Sequence, residues 1–144
     1  FAVDHGEHIK PAYGYRIDYA GRSVVISGDT RFDENLIEMA QGSDLLIHEV
    51  AAARQELINF DERIQLILNH HTTPEEAGIV FSRASPKLAV YTHFVLLSGP
   101  GAPEVTLEEL VERTRQNYSG PLQLGEDLMR FEIGETVQIH RYAP

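Results

Sequence analysis

The chain has 144 residues, of which 42% are hydrophobic and 24% charged, so it suits one domain, or half of a larger one, with a packed core. Its formal net charge of -10 argues against broad electrostatic binding to nucleic acid or to an anionic membrane. The sequence has no cysteine, which excludes disulfides, thiolate metal sites and a cysteine nucleophile. Any metal must be bound by the seven histidines and the carboxylates.

The first ninety residues predict strands that alternate with helices. After a short apolar start at 1–3, apolar and alternating segments predict strands at 13–19, 23–27, 44–50 and 88–91. The first two of these strands should form a hairpin. Apolar residues at helical spacing predict helices at 33–41, 51–68 and 73–84, and the segment 59–61 is a candidate break in the second of them. The third helix opens with Thr73 and Glu76, the two residues of a capping box.

The last third of the chain predicts one helix and several short strands. A loop rich in Gly and Pro at 98–103 precedes a charged helix at 106–116. Closing strands are predicted at 122–125, 127–133 and 136–142.

Acidic and imidazole side chains follow three of the predicted strands. Strands joined by helical crossovers run parallel, so their carboxyl ends meet at one edge of the sheet. Ligands of such sheets bind outside that edge. There the sequence places Asp29, the pair His48 and Glu49, and His93. This edge is therefore the predicted functional site.

Each of these residues has a chemical and a structural interpretation. Asp29 is suited to bridge two metal ions or to receive a proton, and equally to cap the helix that follows it. His93 could bind zinc, or it could be a hydrogen-bonded histidine at the core edge. His48 and Glu49 could form a base and its orienting group, or His48 could be buried while Glu49 pairs with an arginine.

Four further histidines lie in predicted loops. His70 and His71 precede a helix N-terminus, where an imidazole could act as a general acid, or they could be solvated loop residues. His5 and His8 have the spacing H-x-x-H, which is weak evidence for a metal site.

Several motifs together resemble those of metallo-β-lactamase fold hydrolases, in particular the branch of ribonuclease Z and its phosphodiesterase and arylsulfatase-like relatives. In chain order the motifs are SGDT at 27–30, HEV at 48–50, HTTPEEA at 71–77 and YTHF at 91–94. The segments DHG and PAYGYRI before them, and LGEDLMRF after them, extend the resemblance over residues 3–133.

The resemblance implies a role for each candidate residue. Asp29 would bridge two divalent metal ions, usually zinc, with manganese or iron also open, and His93 would bind the second ion. His71 would act on the leaving group, and Glu49 with His48 would form a proton-transfer element. His5 corresponds to a histidine whose role the resemblance does not assign.

The fold implied by the resemblance is α+β, an αββα sandwich of two sheets between helices. The motif H-x-H-x-D-H, which supplies most of the family's metal ligands, is absent from the sequence. We therefore expect residues 1–144 to form the C-terminal half of this fold, as one mixed sheet with flanking helices. Such a half has an incomplete metal site, and we expect the chain by itself to be inactive.

The interval between residues 17 and 27 bears on the substrate. Ribonuclease Z enzymes insert there a long arm that clamps transfer RNA, whereas this chain has a short hairpin. The missing arm and the acidic charge favour a phosphodiester, sulfate ester or other small ester, and make nucleic acid a disfavoured partner. The alternatives are a ribonuclease Z-like tRNA 3'-processing endonuclease and a non-enzymatic binding or dimerisation module. We expect no membrane partner, leave a homodimer open, and favour a cytoplasmic over a periplasmic location.

Overall fold

The computed structural model describes residues 1–143. The strands are β1 (Tyr15–Tyr19), β2 (Arg22–Ile26), β3 (Leu45–Ala52), β4 (Leu88–Leu96), β5 (Leu122–Leu124), β6 (Arg130–Ile133) and β7 (Val137–His140). The helices are α1 (Glu34–Ala40), α2 (Gln55–Phe60), α3 (Glu62–Leu68), α4 (Pro74–Ala84) and α5 (Leu107–Arg115).

A five-stranded sheet with the order β1-β2-β3-β4-β5 forms the centre of the fold. Strands β1 and β2 are an antiparallel hairpin, whereas β3 pairs in parallel with β2 and with β4, and β5 pairs in parallel with β4. Strands β6 and β7 form a separate antiparallel pair. The predicted hairpin, the parallel strands and the mixed sheet with flanking helices are thus confirmed.

Helices α1, α4 and α5 cover one face of the sheet and close the main hydrophobic core over it. Its largest fully buried side chains include Phe81 of α4, Tyr91 of β4 and Leu46 of β3. The ring of Phe81 lies 5.3 Å from that of Tyr91 and 5.4 Å from that of Tyr118, measured between centroids. This aromatic cluster fixes α4 against the central strands, and the N-terminus of α4 carries the candidate histidines.

The opposite face of the sheet is only partly covered. Phe131, Ile133 and Val137 of the β6–β7 pair pack against a small cluster on β3 and β4. On β1, however, Tyr15 and Tyr19 are 59% and 82% exposed. The strand spacing of Tyr13, Tyr15 and Tyr19 in the sequence favours one packed face, whereas in residues 1–143 this face is open.

The structure corrects the predicted helix at 51–68. Ala51 and Ala52 belong to β3, which pairs with β4 as far as Ala52 and Leu96. The remaining residues form two short helices separated at Asp61, whose side chain caps α3 by accepting a hydrogen bond from the Arg63 amide. Backbone hydrogen bonds to β4, a strand that is distant in the sequence, outweigh the local helical pattern at 51–52.

The longest helix within residues 1–143 is α4, with 11 residues. A bilayer requires about 20 apolar residues, and none of the described helices has the length and hydropathy to cross one.

The capping box of α4 provides a stability test. The Thr73 hydroxyl accepts a hydrogen bond from the Glu76 amide, and the Glu76 carboxylate accepts one from the Thr73 amide. Thr73→Ala should lower the free energy of unfolding by about 1 kcal/mol, because the first turn loses an acceptor for its free amide. Urea denaturation measures this loss. Thr136→Ala, at an exposed turn, is the control, and equal losses in both variants would contradict the prediction.

Candidate active site

Asp29 follows β2 in a turn in which the residue before it must be a glycine. Gly28 has φ +62°, and a Cβ there would lie 2.4 Å from the carbonyl oxygen of Tyr13, so only glycine fits without strain. The turn brings the Asp29 side chain to the surface, where it is 45% exposed. Asp33, not Asp29, caps α1, since its carboxylate accepts hydrogen bonds from the amides of residues 35 and 36. The capping interpretation of Asp29 was therefore wrong.

His93 is the extra residue of a bulge in β4. Thr92 pairs with Glu49 and Phe94 pairs with Val50, so His93 lies between two ladder positions. Its φ of +45° is unusual for a residue with a side chain. Bulges redirect side chains at sheet edges, and here Nε2 of His93 lies 3.4 Å from Oδ2 of Asp29. The imidazole is 48% exposed, so it is not a core-edge histidine.

Glu49 and His71 form a hydrogen-bonded pair next to Asp29 and His93. Nδ1 of His71 lies 3.1 Å from one carboxylate oxygen of Glu49, and the other oxygen accepts a hydrogen bond of 2.8 Å from the Thr72 amide. The carboxylate is 1% exposed. The hydrogen bond to Glu49 raises the pKa of the His71 imidazole above its ordinary value, against the opposing effect of burial. The His71 and His93 rings lie 5.7 Å apart, centroid to centroid.

The structure does not bring His48 into this group. Its ring is fully buried and packs edge-on against Phe81, with 5.7 Å between the ring centroids. Its Nδ1–H donates a 2.6 Å hydrogen bond to the Glu49 carbonyl, and Nε2 has no hydrogen-bond partner within residues 1–143. Burial lowers the pKa of this imidazole. The placement gives His48 a structural role. The period-two alternation of a strand could have indicated that Glu49 and His48 face opposite ways.

Two further histidines, His5 and His70, lie at the same edge, and the resemblance to the family assigned a role to neither of them. The His5 ring lies 5.0 Å from that of His71 and 5.9 Å from that of His70, between centroids. His8, the second residue of the H-x-x-H pattern, is exposed. The feature of the sequence that points to His5 is the next residue, Gly6. The local packing requires a glycine at that position.

A cavity of about 400 Å³ opens beside His71. Ala51, Ala52 and Ala53 line it, and their small side chains leave room there. Arg31, Arg113 and Glu76 also line the cavity, and the guanidinium groups of Arg31 and Arg113 are paired with Asp4 and Glu75. The cavity thus combines a small-residue lining with charged residues beside an imidazole.

Asp29 and His93 supply two metal-binding atoms directed at one space. Within residues 1–143, no three or more His, Asp or Glu side chains are grouped so as to hold one metal ion. Catalytic zinc sites use about three protein ligands and keep an open position. A carboxylate and an imidazole, both half-exposed, fit part of a site for zinc, manganese or iron.

Ribonuclease Z proteins are among the relatives of this chain. The chain is 32% identical over 133 residues to ribonuclease Z of Mycobacterium tuberculosis strain H37Rv, covering 91% of this chain and 46% of the relative. Ribonuclease Z of Mycobacterium avium strain 104 is also 32% identical, with 91% and 45% covered. The chain thus spans about half the length of these relatives.

Solved structures share the fold at low identity. The metallo-beta-lactamase fold protein YhfI of Bacillus subtilis superposes with a TM-score of 0.65 at 19% identity, over 88% of this chain and 45% of that one. A diphosphatase of the PhnP family gives 0.55 at 20% identity, over 87% and 38%. The short form of human tRNase Z gives 0.52 at 22% identity, over 83% and 37%.

The sheet, its helical layer and the site edge agree with these likenesses. A family model described as the beta-lactamase superfamily domain matches residues 1–94, which is well over half of the chain. The chain therefore belongs to the beta-lactamase superfamily, with the metallo-β-lactamase fold that its sequence motifs predicted.

Proposed function

We propose that this chain contributes part of the active site of a dinuclear metal-dependent hydrolase that cleaves a phosphodiester. The observation that carries the proposal is the convergence of Asp29, His93 and the Glu49–His71 pair at the carboxyl edge of one sheet. Proteins of this superfamily generally bind divalent metal ions. The remaining metal ligands would come from residues other than the 144 of this sequence.

Asp29, just after β2, and His93, at the bulge within β4, would hold metal. Bound divalent ions supply Lewis acidity and make water a better nucleophile at neutral pH. A carboxylate with two oxygens is suited to bridge two ions, and the imidazole binds through a ring nitrogen. Their separation of 3.4 Å brings both donors to one ion-sized space.

His71 would donate a proton to the leaving oxygen. Its Nδ1 is engaged by Glu49, so Nε2 is the ring atom left for proton transfer. The raised pKa keeps this imidazole protonated at higher pH than an ordinary histidine, as a general acid requires. Glu49 would orient the ring and stabilise its charge, while the Thr72 amide holds Glu49 itself.

The cavity beside His71 is the natural place for the leaving group. A group that departs from phosphorus must lie within hydrogen-bond reach of its acid. The small side chains at 51–53 would accept an apolar or planar body, and Arg31, Arg113 and Glu76 are the charged residues of the lining.

The tRNA 3'-processing reaction is the second candidate, and the ribonuclease Z relatives favour it. Against it stand the net charge of -10 and the tight β1–β2 turn, in which only Ala20 and Gly21 separate the strands. A tRNA clamp inserted in this hairpin is what the resemblance predicts for ribonuclease Z, and this chain lacks it. A smaller phosphodiester therefore suits this chain better, with sulfate esters as a further substrate class to assay.

Hydrolysis of bis(p-nitrophenyl) phosphate by the protein as its gene encodes it tests the proposal. Asp29→Asn and His93→Ala should each lower kcat/KM at least roughly tenfold and reduce the bound metal, because each removes a metal ligand. Asp18→Asn, an exposed β1 carboxylate, is the matched control. Parallel assays with a 3'-extended tRNA precursor and p-nitrophenyl sulfate separate the substrate classes. Undiminished turnover in both site variants would contradict the proposal.

The Glu49–His71 pair predicts a pH dependence of stability in the metal-free chain. A histidine whose pKa is raised by folding stabilises the protein fully below its unfolded pKa, about 6.5, and loses this effect as pH rises through the folded value. Glu49→Gln should lower the His71 pKa in an NMR titration. The same substitution should also remove the amount by which the protein is more stable to unfolding at about pH 5.5 than at about pH 8.5.

The control for this pH dependence is Glu62→Gln in the first turn of α3, an exposed position. It should leave both the His71 titration and the stability difference unchanged. An unchanged His71 pKa in Glu49→Gln would show that another group raises it.

A further inference from the structure

We propose that Glu76 is a specificity-determining residue of the cavity beside His71, where it selects against leaving groups that carry negative charge. The inference rests on the proposed function, because it concerns the alcohol that departs from phosphorus in that reaction. It narrows the substrate class to phosphodiesters whose leaving alcohol is neutral or cationic.

Within the part of the chain that the structure describes, every basic side chain of the cavity lining has an acidic partner. The three pairs are Arg31 with Asp4, Arg113 with Glu75, and His71 with Glu49. A guanidinium group bound to a carboxylate through both groups' charges offers a second anion little net attraction. The basic residues therefore do not make this cavity a site for an anionic leaving group.

The N-terminus of α4 is also closed to an anion. Free amides at a helix start attract anions, but carboxylates of the protein occupy them here. The Thr72 amide donates to Glu49 at 2.8 Å. The Thr73 amide donates to Glu76 at 2.9 Å, and Pro74 has no amide proton. None of these three positions therefore has a donor left for a ligand.

Glu76 is the charged residue of the lining that lacks a partner of opposite charge. One oxygen of its carboxylate accepts hydrogen bonds from the amide and the hydroxyl of Thr73, at 2.9 and 2.8 Å. Its other oxygen has no hydrogen bond or ion pair within residues 1–143. Both contacts of the first oxygen are with neutral groups. The cavity lining consequently carries an uncompensated negative charge.

A charge in so small a space affects any ligand that fills it. The cavity measures about 400 Å³, and near a protein surface two like charges about 7 Å apart repel strongly enough to weaken binding at least roughly tenfold. A neutral alcohol avoids this repulsion and buries apolar surface against Ala51, Ala53 and Leu68. A polynucleotide leaving group is a polyanion, so Glu76 disfavours it as well.

The kinetic test uses methyl aryl phosphates whose leaving phenols differ in charge, with the protein as its gene encodes it. A series of uncharged phenols first defines how kcat/KM depends on the pKa of the leaving group. The test phenols are 4-nitrophenol derivatives with a carboxylate or a trimethylammonium group at the meta position. The carboxylated ester should fall at least roughly tenfold below the line of the uncharged series, and the cationic ester should not.

Two results of this comparison would overturn the proposal. A carboxylated ester that lies on the line of the uncharged series would show that the cavity does not select by charge. A cationic ester that falls as far below the line as the carboxylated one would show that the cavity excludes the substituent by size.

Glu76→Gln removes the charge and keeps the capping box, since glutamine also accepts from the N-cap amide at this position. This variant should raise the ratio of kcat/KM for the carboxylated ester to that for the neutral ester by roughly tenfold. Glu108→Gln, at an exposed position in the first turn of α5, changes the net charge equally and is the matched control. A ratio that rises in neither variant, or equally in both, would contradict the role of Glu76.

Binding of small probes provides a readout that needs no activity. In NMR titrations of the same protein, benzyl alcohol should shift the amide signals of residues 51–53, and benzoate should shift them only in Glu76→Gln. Equal shifts by both probes in the unmodified protein, or none by benzyl alcohol, would refute the selection. If the unmodified protein hydrolyses none of the esters, the proposed function fails while these titrations still decide the role of Glu76.

Discussion

The buried carboxylate of Glu49 is the interaction on which the candidate site depends. A carboxylate that is 1% exposed would be strongly destabilising without partners. Here the His71 imidazole and the Thr72 amide satisfy one oxygen each. The same contacts tie the middle of β3 to the residues that precede α4. The site geometry is therefore a consequence of satisfying one buried charge.

Two backbone irregularities lie where the chemistry is proposed. The central ladder of β3 and β4 is regular until His93 interrupts it as a bulge, and β2 ends in a turn that only Gly28 permits. Both features rotate a side chain out of the strand pattern and toward the same space. Regular pairing beneath them supplies the rigidity that holds Asp29 and His93 at 3.4 Å.

One interpretation accounts both for the two metal-binding groups and for the exposed face of β1. Relatives are about twice as long as the aligned region, and a two-sheet sandwich buries the inner face of each sheet. We infer that Tyr15 and Tyr19, exposed here, lie where a second sheet packs in such a fold. A second sheet in this place would also bring further metal ligands to the edge.

The sequence by itself predicted the β1–β2 hairpin, the parallel central strands and the grouping of Asp29, Glu49 and His93 in one region of the sheet. This was possible because apolar runs that precede Asp29, Glu49 and His93 are a local pattern typical of parallel strands, although β3 and β4 continue past Glu49 and His93 in the folded chain. It could not determine that Ala51–Ala52 extend β3, since pairing with β4 is a long-range interaction. Nor could it pair His5 with His70, because only the folded chain brings residues 65 positions apart within hydrogen-bond distance. Tertiary structure decided these features, since each depends on contacts between distant segments that no local pattern encodes.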